Sequence, residues 1–579
     1  MQTHHGETLA ANDNGRPPLL RFAPYVVMAA SLVLLAYTCW REATQAGVTM
    51  DEIAYINIAL GVRDRLSFRE FTTWGVAPLP VLAFHLPAIV IVGSEPYDVG
   101  PFPFFGRPEF LPAIKVARLL TAAVCGAVIW IFTVCWLRRV AGIGAAAAGS
   151  VLVAASPMLV ATMSLATTDA LFTATVLAAI AAVDRARRLR SRASLWLASL
   201  AVGVCFAAKY SCIALIPVFA WWLIPAGPAG FRRTVAWAWE SAKLGLVALA
   251  IAWLAHAGEM VSLDRHPKPA SEVGPGLVAR ARALFGSLVV PAPIKGFVMQ
   301  AYMVTVQPAP NYLMGRLSDT GFREFYFVGM AVKSNPAETC LLAIGFVAAL
   351  AALARVVASR GTDAAGGKGE TIVASSIALA LLATLSLSKK QWGVRYVLPL
   401  YPIFGALAIM ALWRTRLGRG AAILLVAAHA GFMIAAPPGL LSYFNPALGG
   451  RKNGDRWLVG VDYDWGQGLK ELHEWYQREG GGRPVFYSGM GDIKSYAFNA
   501  PTLDKFDPNS HPRALLLASR HCLRSPDELI DFLDVPPLAT PSDITVVYDL
   551  SRPETLAAVE ARKARLADLK RKKSAEVAK

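Results

Sequence analysis

Two adjacent carboxylates, Asp51 and Glu52, lie in the stretch VTMDEIAYINIALG, which covers residues 48–61. Isoleucines recur in this stretch at roughly helical spacing, and Tyr55 follows soon after the acidic pair, so the pattern predicts a helix with an apolar face at the membrane interface. A carboxylate placed there could accept a proton from a hydroxyl group. The structural alternative is that Asp51 caps the helix while Glu52 lies in its first turn.

Further polar and charged residues lie beside apolar segments, where a charge near the centre of a membrane helix costs roughly 2.5–3.5 kcal/mol. These residues are Asp169, Lys209 with Tyr210, and the set Lys389, Lys390, Arg395 and Tyr396. Several cations on one side of a membrane could hold a phosphate group, and arginine does so with two parallel hydrogen bonds. Alternatives remain open, because Lys209 and Arg395 could extend toward lipid headgroups, and Asp169 could cap a helix.

The composition predicts a polytopic α-helical membrane protein. The 579 residues are 55% hydrophobic, the mean hydropathy is +0.43, and several apolar runs approach the ~20 residues that a spanning helix needs. The net charge of +17 falls largely in short basic tufts between these runs, which indicates membrane topology rather than nucleic-acid binding. The seven cysteines show neither a disulfide framework nor a CxxC spacing. No cleavage site follows the first apolar run, which we interpret as a retained anchor.

About eleven membrane spans are expected between residues 23 and 436, after a cytoplasmic N-terminus at 1–22. The predicted spans cover about 23–40, 115–137, 143–161, a fourth segment that runs inward from the turn with Asp169 to the basic tuft beginning at Arg185, two segments within 194–226, and then 236–256, 337–354, 371–387, 397–412 and 420–436. Basic tufts follow the inward-going spans, so residues 41–114 and 257–335 become long outer loops. The first of these contains a proline-rich apolar stretch at 74–93, which we expect to be interrupted and to lie in or re-enter the membrane rather than span it.

The polar tail, residues 437–579, predicts a small α/β domain outside the cytoplasm. RPVFYSG, RALLLASR and ITVVYDL are typical of short strands, and GLKELHEWYQREG is typical of a helix. More than 100 residues are enough to bury a separate core. The last twenty residues, rich in Lys, Arg, Ala and Glu, predict a helix with a solvated charged face.

Several motifs together resemble the GT-C glycosyltransferases of the protein O-mannosyltransferase type (glycosyltransferase family 39), which include the lipid A aminoarabinose transferases. The motifs are MDEIAYINIALG from 50, Pro157 followed by Asp169, AAKYSCIALIP around Lys209, the segment NYLMGRLSDTGFREFYFVGMAVKSNPAE from 311, QWGVRYVLPLYP from 391, and LSYFNPALGG with DWGQGLKEL in the tail. Two positions depart from the family pattern. Thr162 and Ser164 stand where an arginine is frequent, and Ser334-Asn335 replaces a threonine before Pro336.

The resemblance implies an inverting transfer of a sugar from a polyprenyl-phosphate donor at the extracytoplasmic face of the inner membrane. By the same resemblance Asp51 is the base that activates the acceptor, Glu52 assists or orients it, and Asp169 is a second acid on the acceptor side. Lys209 and Arg395 are candidates for binding the donor phosphate, with Tyr396 as a hydrogen-bond partner. The expected partners are the lipid-linked donor, membrane lipids and an acceptor glycan, lipid or protein.

Three function classes remain open from the sequence. A transporter or flippase of a lipid-linked sugar would also need the spans and the outer charges, although paired repeats typical of transporters are not evident. An accessory membrane subunit whose tail binds a partner is the third class. Asp51-Glu52 is not a DxD pair, so we predict no cofactor or metal site, and a divalent-ion requirement is left open.

Overall fold

The apolar segments form helices in a computed structural model, which describes residues 18–93, 107–225, 230–263, 288–305, 310–358, 369–491, 496 and 500–577. Within these residues, six helices are long and apolar enough to cross a membrane. They are Arg21–Gln45, Phe110–Ala141, Phe231–Ala255, Pro336–Ala358, Gly369–Ser386 and Arg416–Ile434. The predictions for residues 1–17, for most of the Pro/Gly/Phe-rich stretch 96–110 and for the inner loop at 359–368 lie outside the described residues.

The remaining predicted spans are helical but bent, shorter or more charged. Ile143–Ala155 and Pro157–Met163 meet at an angle of 62° and count as a seventh span if the bent pair crosses as one. The other segments are Thr168–Leu189, Arg192–Ala208, Tyr210–Leu223 and Leu400–Leu412. Length and hydropathy therefore support six or seven spans within the described part of the chain, and the count of eleven stays a prediction.

Most of the helices pack into one large apolar core. Phe110–Ala141 and Pro18–Gln45 both pack against Ile143–Ala155, and Pro336–Ala358 packs along Leu400–Leu412. The core includes the fully buried Trp136. Small residues allow close approach, because a Cβ atom on Gly345 would lie 1.8 Å from the backbone oxygen of Phe404.

The proline-rich stretch at 74–93 forms a helix that is not among the candidate spans, as predicted, but its prolines do not break that helix. Residues Pro78–Val92 form one apolar helix, in which Val81–His85 has the wider π-type hydrogen-bonding. Pro78 lies at the start of the helix, where a missing N–H costs little. The π turn directly precedes Pro87 in Leu86–Val92, and such a turn relieves the clash of a proline ring with the preceding helical turn.

Both long loops contain regular structure. Residues 41–114 include the helices Met50–Arg65 and Arg69–Trp74 as well as Pro78–Val92. Residues 257–335 include Ala292–Thr305, Phe325–Lys333 and two small antiparallel strand pairs. The first pair joins Met260–Ser262 to Val289–Pro291, and the second joins Asn311–Leu313 to Arg316–Ser318.

The tail contains the helix Gly468–Glu479, a four-stranded sheet and the terminal helix Pro553–Val577. The strands lie in the order Val485–Ser488, Leu515–Ser519, Thr545–Asp549 and Ala539–Ser542. The first pair is parallel and the other two are antiparallel. Alternate residues of the central strands enter two separate apolar clusters, so both faces of the sheet are covered. All three predicted strands and the predicted helix are therefore present.

Candidate functional site

Asp51 lies in the first turn of the helix Met50–Arg65, whose N-cap residue is Thr49 rather than Asp51. Its carboxylate accepts a hydrogen bond from the Tyr55 hydroxyl at 3.2 Å, one turn along the helix. Arg395 Nη1 lies 3.3 Å from the same oxygen, Oδ2. The side chain of Asp51 is 34% exposed, and the sequence-based alternative that it caps the helix is wrong.

The tail holds the start of this helix in place. The backbone N–H of Met50 donates to the Trp465 carbonyl at 3.1 Å, and the Val48 N–H donates to the Tyr496 hydroxyl at 3.1 Å. Gly47 permits the approach, since a Cβ atom there would lie 2.1 Å from the carbonyl oxygen of Gln467. Residues more than 400 positions later in the chain thus fix the position of Asp51.

Arg395 connects the two acids of the site. It lies in the 3-10 turn Val394–Val397, and its Nη1 is 3.8 Å from Asp169 Oδ2 as well as 3.3 Å from Asp51 Oδ2. Its guanidinium carbon lies 3.6 Å from the centre of the Trp465 ring. Burial would lower the pKa of Arg395, but the two carboxylates outweigh it and raise that pKa, so the guanidinium stays charged.

A glycine and a tail carboxylate orient the turn that carries Arg395. Gly393 has a φ of +100°, which favours glycine. The N–H of Val394 donates to Asp462 Oδ1 at 2.8 Å. Lys333 Nζ in turn donates to the Asp462 carbonyl at 2.7 Å. Asp462 therefore joins the tail to the Arg395 turn.

Asp169 and Lys209 form the second ion pair of the site. Asp169 is buried in the first turn of Thr168–Leu189, whose N-cap is Thr167, so the alternative that Asp169 caps this helix is wrong. Lys209 follows the helix Arg192–Ala208 and binds Asp169 Oδ1 directly. Its Nζ also lies 3.8 Å from the centre of the Tyr396 ring, so Lys209 points into the site rather than toward lipid headgroups.

These groups surround a cavity of about 660 Å³. Its walls include all the charged residues just described except Lys333, and they also include residues of the tail. The tail contributes Val459, Gly460, Val461, Asp462, Trp465, Met490, His521, Ser525 and Glu528. Asp51 and Asp169 contact the cations Arg395 and Lys209 there, and loss of hydration raises the pKa of Asp51 against the opposing effect of Arg395.

Glu52 points away from this cavity and into the protein, where it is fully buried. Arg118 donates to it through Nε at 2.6 Å and Nη2 at 2.7 Å. The backbone N–H groups of Thr49 and Ala166 donate to it at 3.0 Å each. Burial would raise the pKa of Glu52, but Arg118 outweighs it and the pKa is lowered, so Glu52 is an ionised structural group.

The other predicted residues divide between the cavity and its surroundings. Arg395 and Tyr396 line the cavity. Lys389 is exposed, and Lys390 Nζ lies over the Trp392 ring at 3.9 Å and donates to the Met303 carbonyl. Sequence reasoning gave no role to Arg118, Asp462 or Trp465. Arg118 could have been found from its charge within an apolar segment, whereas the other two lie in a polar tail where no such signal exists.

Comparisons with known proteins find similar solved structures, among them two of ArnT. No family model and no curated protein matches the chain. ArnT from Cupriavidus metallidurans bound to undecaprenyl phosphate is 14% identical with a TM-score of 0.44, over 90% of this chain and 97% of that one. The apo state of ArnT from the same organism is 15% identical with a TM-score of 0.42, over 91% and 98%. At this level of similarity, we base the function on this chain's own residues.

Proposed function

We propose that this chain is a glycosyltransferase that moves a sugar from a polyprenyl-phosphate donor to a hydroxyl acceptor, with inversion, at the extracytoplasmic face of the inner membrane. The observation that carries the proposal is the position of Asp51. Its carboxylate faces a 660 Å³ cavity together with Arg395 and Lys209, beside helices apolar enough to enter a membrane. A base and a cationic phosphate site thus share one chamber.

Asp51 is the proposed general base. The acceptor oxygen attacks the anomeric carbon, its proton passes to Asp51, and the bond between that carbon and the phosphate oxygen breaks with its electron pair on the phosphate. Attack from the face opposite the phosphate inverts the configuration. The raised pKa of Asp51 suits this role, because a general base works best when its pKa approaches the working pH.

Arg395 and Lys209 are proposed to stabilise the departing phosphate. Both cations border the cavity, and each lies against an aromatic ring, Trp465 or Tyr396, that limits its movement. An incoming phosphate would compete with Asp51 for Arg395 Nη1, which frees the carboxylate to accept a proton. The two contacts of Asp169 favour a role in positioning these cations, and its action on the acceptor stays a prediction. A hydrogen bond from Tyr396 to the phosphate also stays a prediction.

Glu52 is proposed to orient Asp51 rather than to take part in the proton transfer. It ties the start of the Met50–Arg65 helix to Arg118 on Phe110–Ala141 and to Ala166 before Thr168–Leu189. Through these contacts it fixes the two segments that carry Asp51 and Asp169. This agrees with the orienting role that the family resemblance implies for Glu52.

Transfer in a purified system tests the proposal. The donors are polyprenyl phosphates that carry radiolabelled sugars, a class that includes the lipid bound in one of the ArnT structures, undecaprenyl phosphate. Mass spectrometry of envelope glycans, lipids and glycoproteins from cells with and without the protein selects the sugar and the acceptor. Label in the acceptor, matched by an equal amount of free polyprenyl phosphate, supports a transferase. Label that stays on the lipid and only changes leaflet contradicts it and favours a flippase.

A further inference from the structure

Three different metal-binding side chains meet in the tail, outside the groups used above. His521 and Cys522 lie in the 3-10 turn Arg520–Arg524, which follows the strand Leu515–Ser519 directly. The nitrogen, sulfur and carboxylate oxygen atoms of His521, Cys522 and Glu528 all lie within 4.8 Å of one another. His521 is 5% exposed and Cys522 is fully buried.

The backbone around the cluster is held by several hydrogen bonds. The N–H of Leu529 donates to the Cys522 carbonyl at 3.1 Å, which folds the chain back so that Glu528 faces the turn. Arg562 and Arg565 of the terminal helix donate to the Glu528 carbonyl at 2.8 Å and 3.3 Å. The basic terminal helix therefore fixes the backbone of one member of the cluster.

One pair of donor atoms has the spacing that a bound metal would need. His521 Nδ1 lies 2.8 Å from Ser519 Oγ, which orients the ring and leaves Nε2 for a metal. Nε2 is 3.6 Å from Cys522 Sγ, and zinc bonds of ~2.05 Å to nitrogen and ~2.3 Å to sulfur at a tetrahedral angle place those atoms about 3.6 Å apart. Within the described part of the chain, Glu528 Oε2 is buried without a hydrogen bond of ordinary geometry, and the Glu528 carboxylate lies beside the Cys522 thiol.

We propose that His521, Cys522 and Glu528 bind one Zn²⁺ ion in the wall of the cavity. Thiolate and imidazole ligands select zinc over magnesium or calcium, which prefer oxygen atoms alone. His521 and Glu528 line the same cavity as Asp51, so the fourth position of the ion faces the chamber, as in zinc sites that keep one position for water or substrate. Binding displaces the thiol proton to solvent. The spacing of the three residues matches no CxxC pattern, which is why the sequence predicted no metal site.

The proposal is tested with full-length, tag-free protein in detergent. Zinc is added and unbound metal is removed, after which mass spectrometry counts the zinc retained per chain. Wild-type protein should keep about one ion. Removing a residue that only hydrogen-bonds a metal ligand costs about 10–100-fold in metal affinity. Removing a ligand should cost no less, so Cys522→Ser and Glu528→Gln should each weaken zinc binding at least tenfold. Cys340→Ser, which alters an exposed cysteine far along the chain, should bind like wild type.

Cobalt provides a second readout, because Co²⁺ bound to a thiolate gives a charge-transfer absorption band. The band should form in wild type and in Cys340→Ser and be absent in Cys522→Ser. If Cys522→Ser fails to fold, as judged by size-exclusion chromatography, the zinc affinity of Glu528→Gln decides the test. Glu528 is only partly buried, so we expect this variant to fold. Wild-type protein that retains no zinc, or variants that retain zinc with wild-type affinity, would overturn the proposal. Failure of glycosyl transfer would leave this result unaffected.

Discussion

The adjacent acids Asp51 and Glu52 should fail in different ways when each is replaced by its amide. Glu52→Gln removes the negative charge beside Arg118 while keeping the shape of the side chain. We predict that this variant loses stability and folded yield, whereas its folded fraction keeps most of the wild-type turnover. A role in proton transfer would give the opposite pattern.

The expected loss of stability in Glu52→Gln follows from the contacts of the buried ion pair between Glu52 and Arg118. Breaking a buried ion pair by removing one partner costs about 3–5 kcal/mol, because the remaining charge stays buried. Arg118 keeps three other acceptors, the carbonyls of Ala43, Ala46 and Gly47 at 3.3, 2.8 and 2.7 Å. These carbonyls partly compensate the charge of the Arg118 guanidinium group. We therefore expect Glu52→Gln to lower the unfolding free energy by about 3 kcal/mol, the lower end of that range.

Thermal and denaturant unfolding in detergent measure this loss, and turnover is normalised to folded protein. Arg118→Met removes the other charge of the pair. Because the two side chains are in contact, the double variant should lose at least ~1 kcal/mol less unfolding free energy than the sum of the losses in the two single variants. Asp568→Asn, in the exposed pair with Lys572, is the control and should leave unfolding unchanged. Wild-type stability of Glu52→Gln together with a large loss of turnover would refute the reasoning and assign Glu52 to the chemistry.

Three further predictions concern the donor site, the topology and the pH dependence. Arg395→Ala and Lys209→Ala should raise the KM for the lipid-phosphate donor. Arg395→Lys should restore the KM only in part, because lysine lacks the two parallel N–H donors of the guanidinium group. Arg323→Ala, which alters an exposed arginine, is the control, and wild-type kinetics in both Arg395→Ala and Lys209→Ala would contradict the phosphate site. With the exposed Cys135 and Cys340 replaced by serine, a cysteine at Ser67 or Ser525 should react with an impermeant thiol reagent on intact spheroplasts. A cysteine at Arg414, on the predicted inner side, should react only after lysis. The reverse pattern would refute the extracytoplasmic site. The pKa of Asp51 is raised, and a general base must be ionised to accept a proton. We therefore expect kcat/KM to fall as the pH falls through the pKa of Asp51, at a pH above the ~3.9 of an ordinary aspartate. A kcat/KM that stays constant down to pH ~3.9 would show that Asp51 is not the base.

The apolar helices of this chain were predictable because hydrophobic runs and basic tufts are local signals. The boundaries were less so, since Phe110–Ala141 extends about one turn beyond the predicted span at each end. The π turn at Val81–His85 was not predictable, because prolines in the sequence indicate interruption and do not show how neighbouring turns adjust.

The site was predictable in its residue types but not in its pairing. Arg395 and Asp51 are 344 positions apart, and only the folded chain shows that they touch. The difference between Asp51 and Glu52 follows from helix geometry, because neighbouring residues on a helix do not face the same side. The contributions of Trp465 and Asp462 depend on the docking of the tail, for which the sequence contains no local signal.

Donor turnover by Asp51→Asn tests the central claim most directly. The substitution removes the carboxylate charge, keeps the size of the side chain and leaves the N-cap at Thr49 in place. A positioned general base contributes typically ~10²–10⁴-fold, so the variant should fold, bind the lipid-linked donor and transfer sugar at least ~100-fold more slowly than wild type. Wild-type transfer by folded Asp51→Asn would contradict the account and move the search for the catalytic base to Asp169.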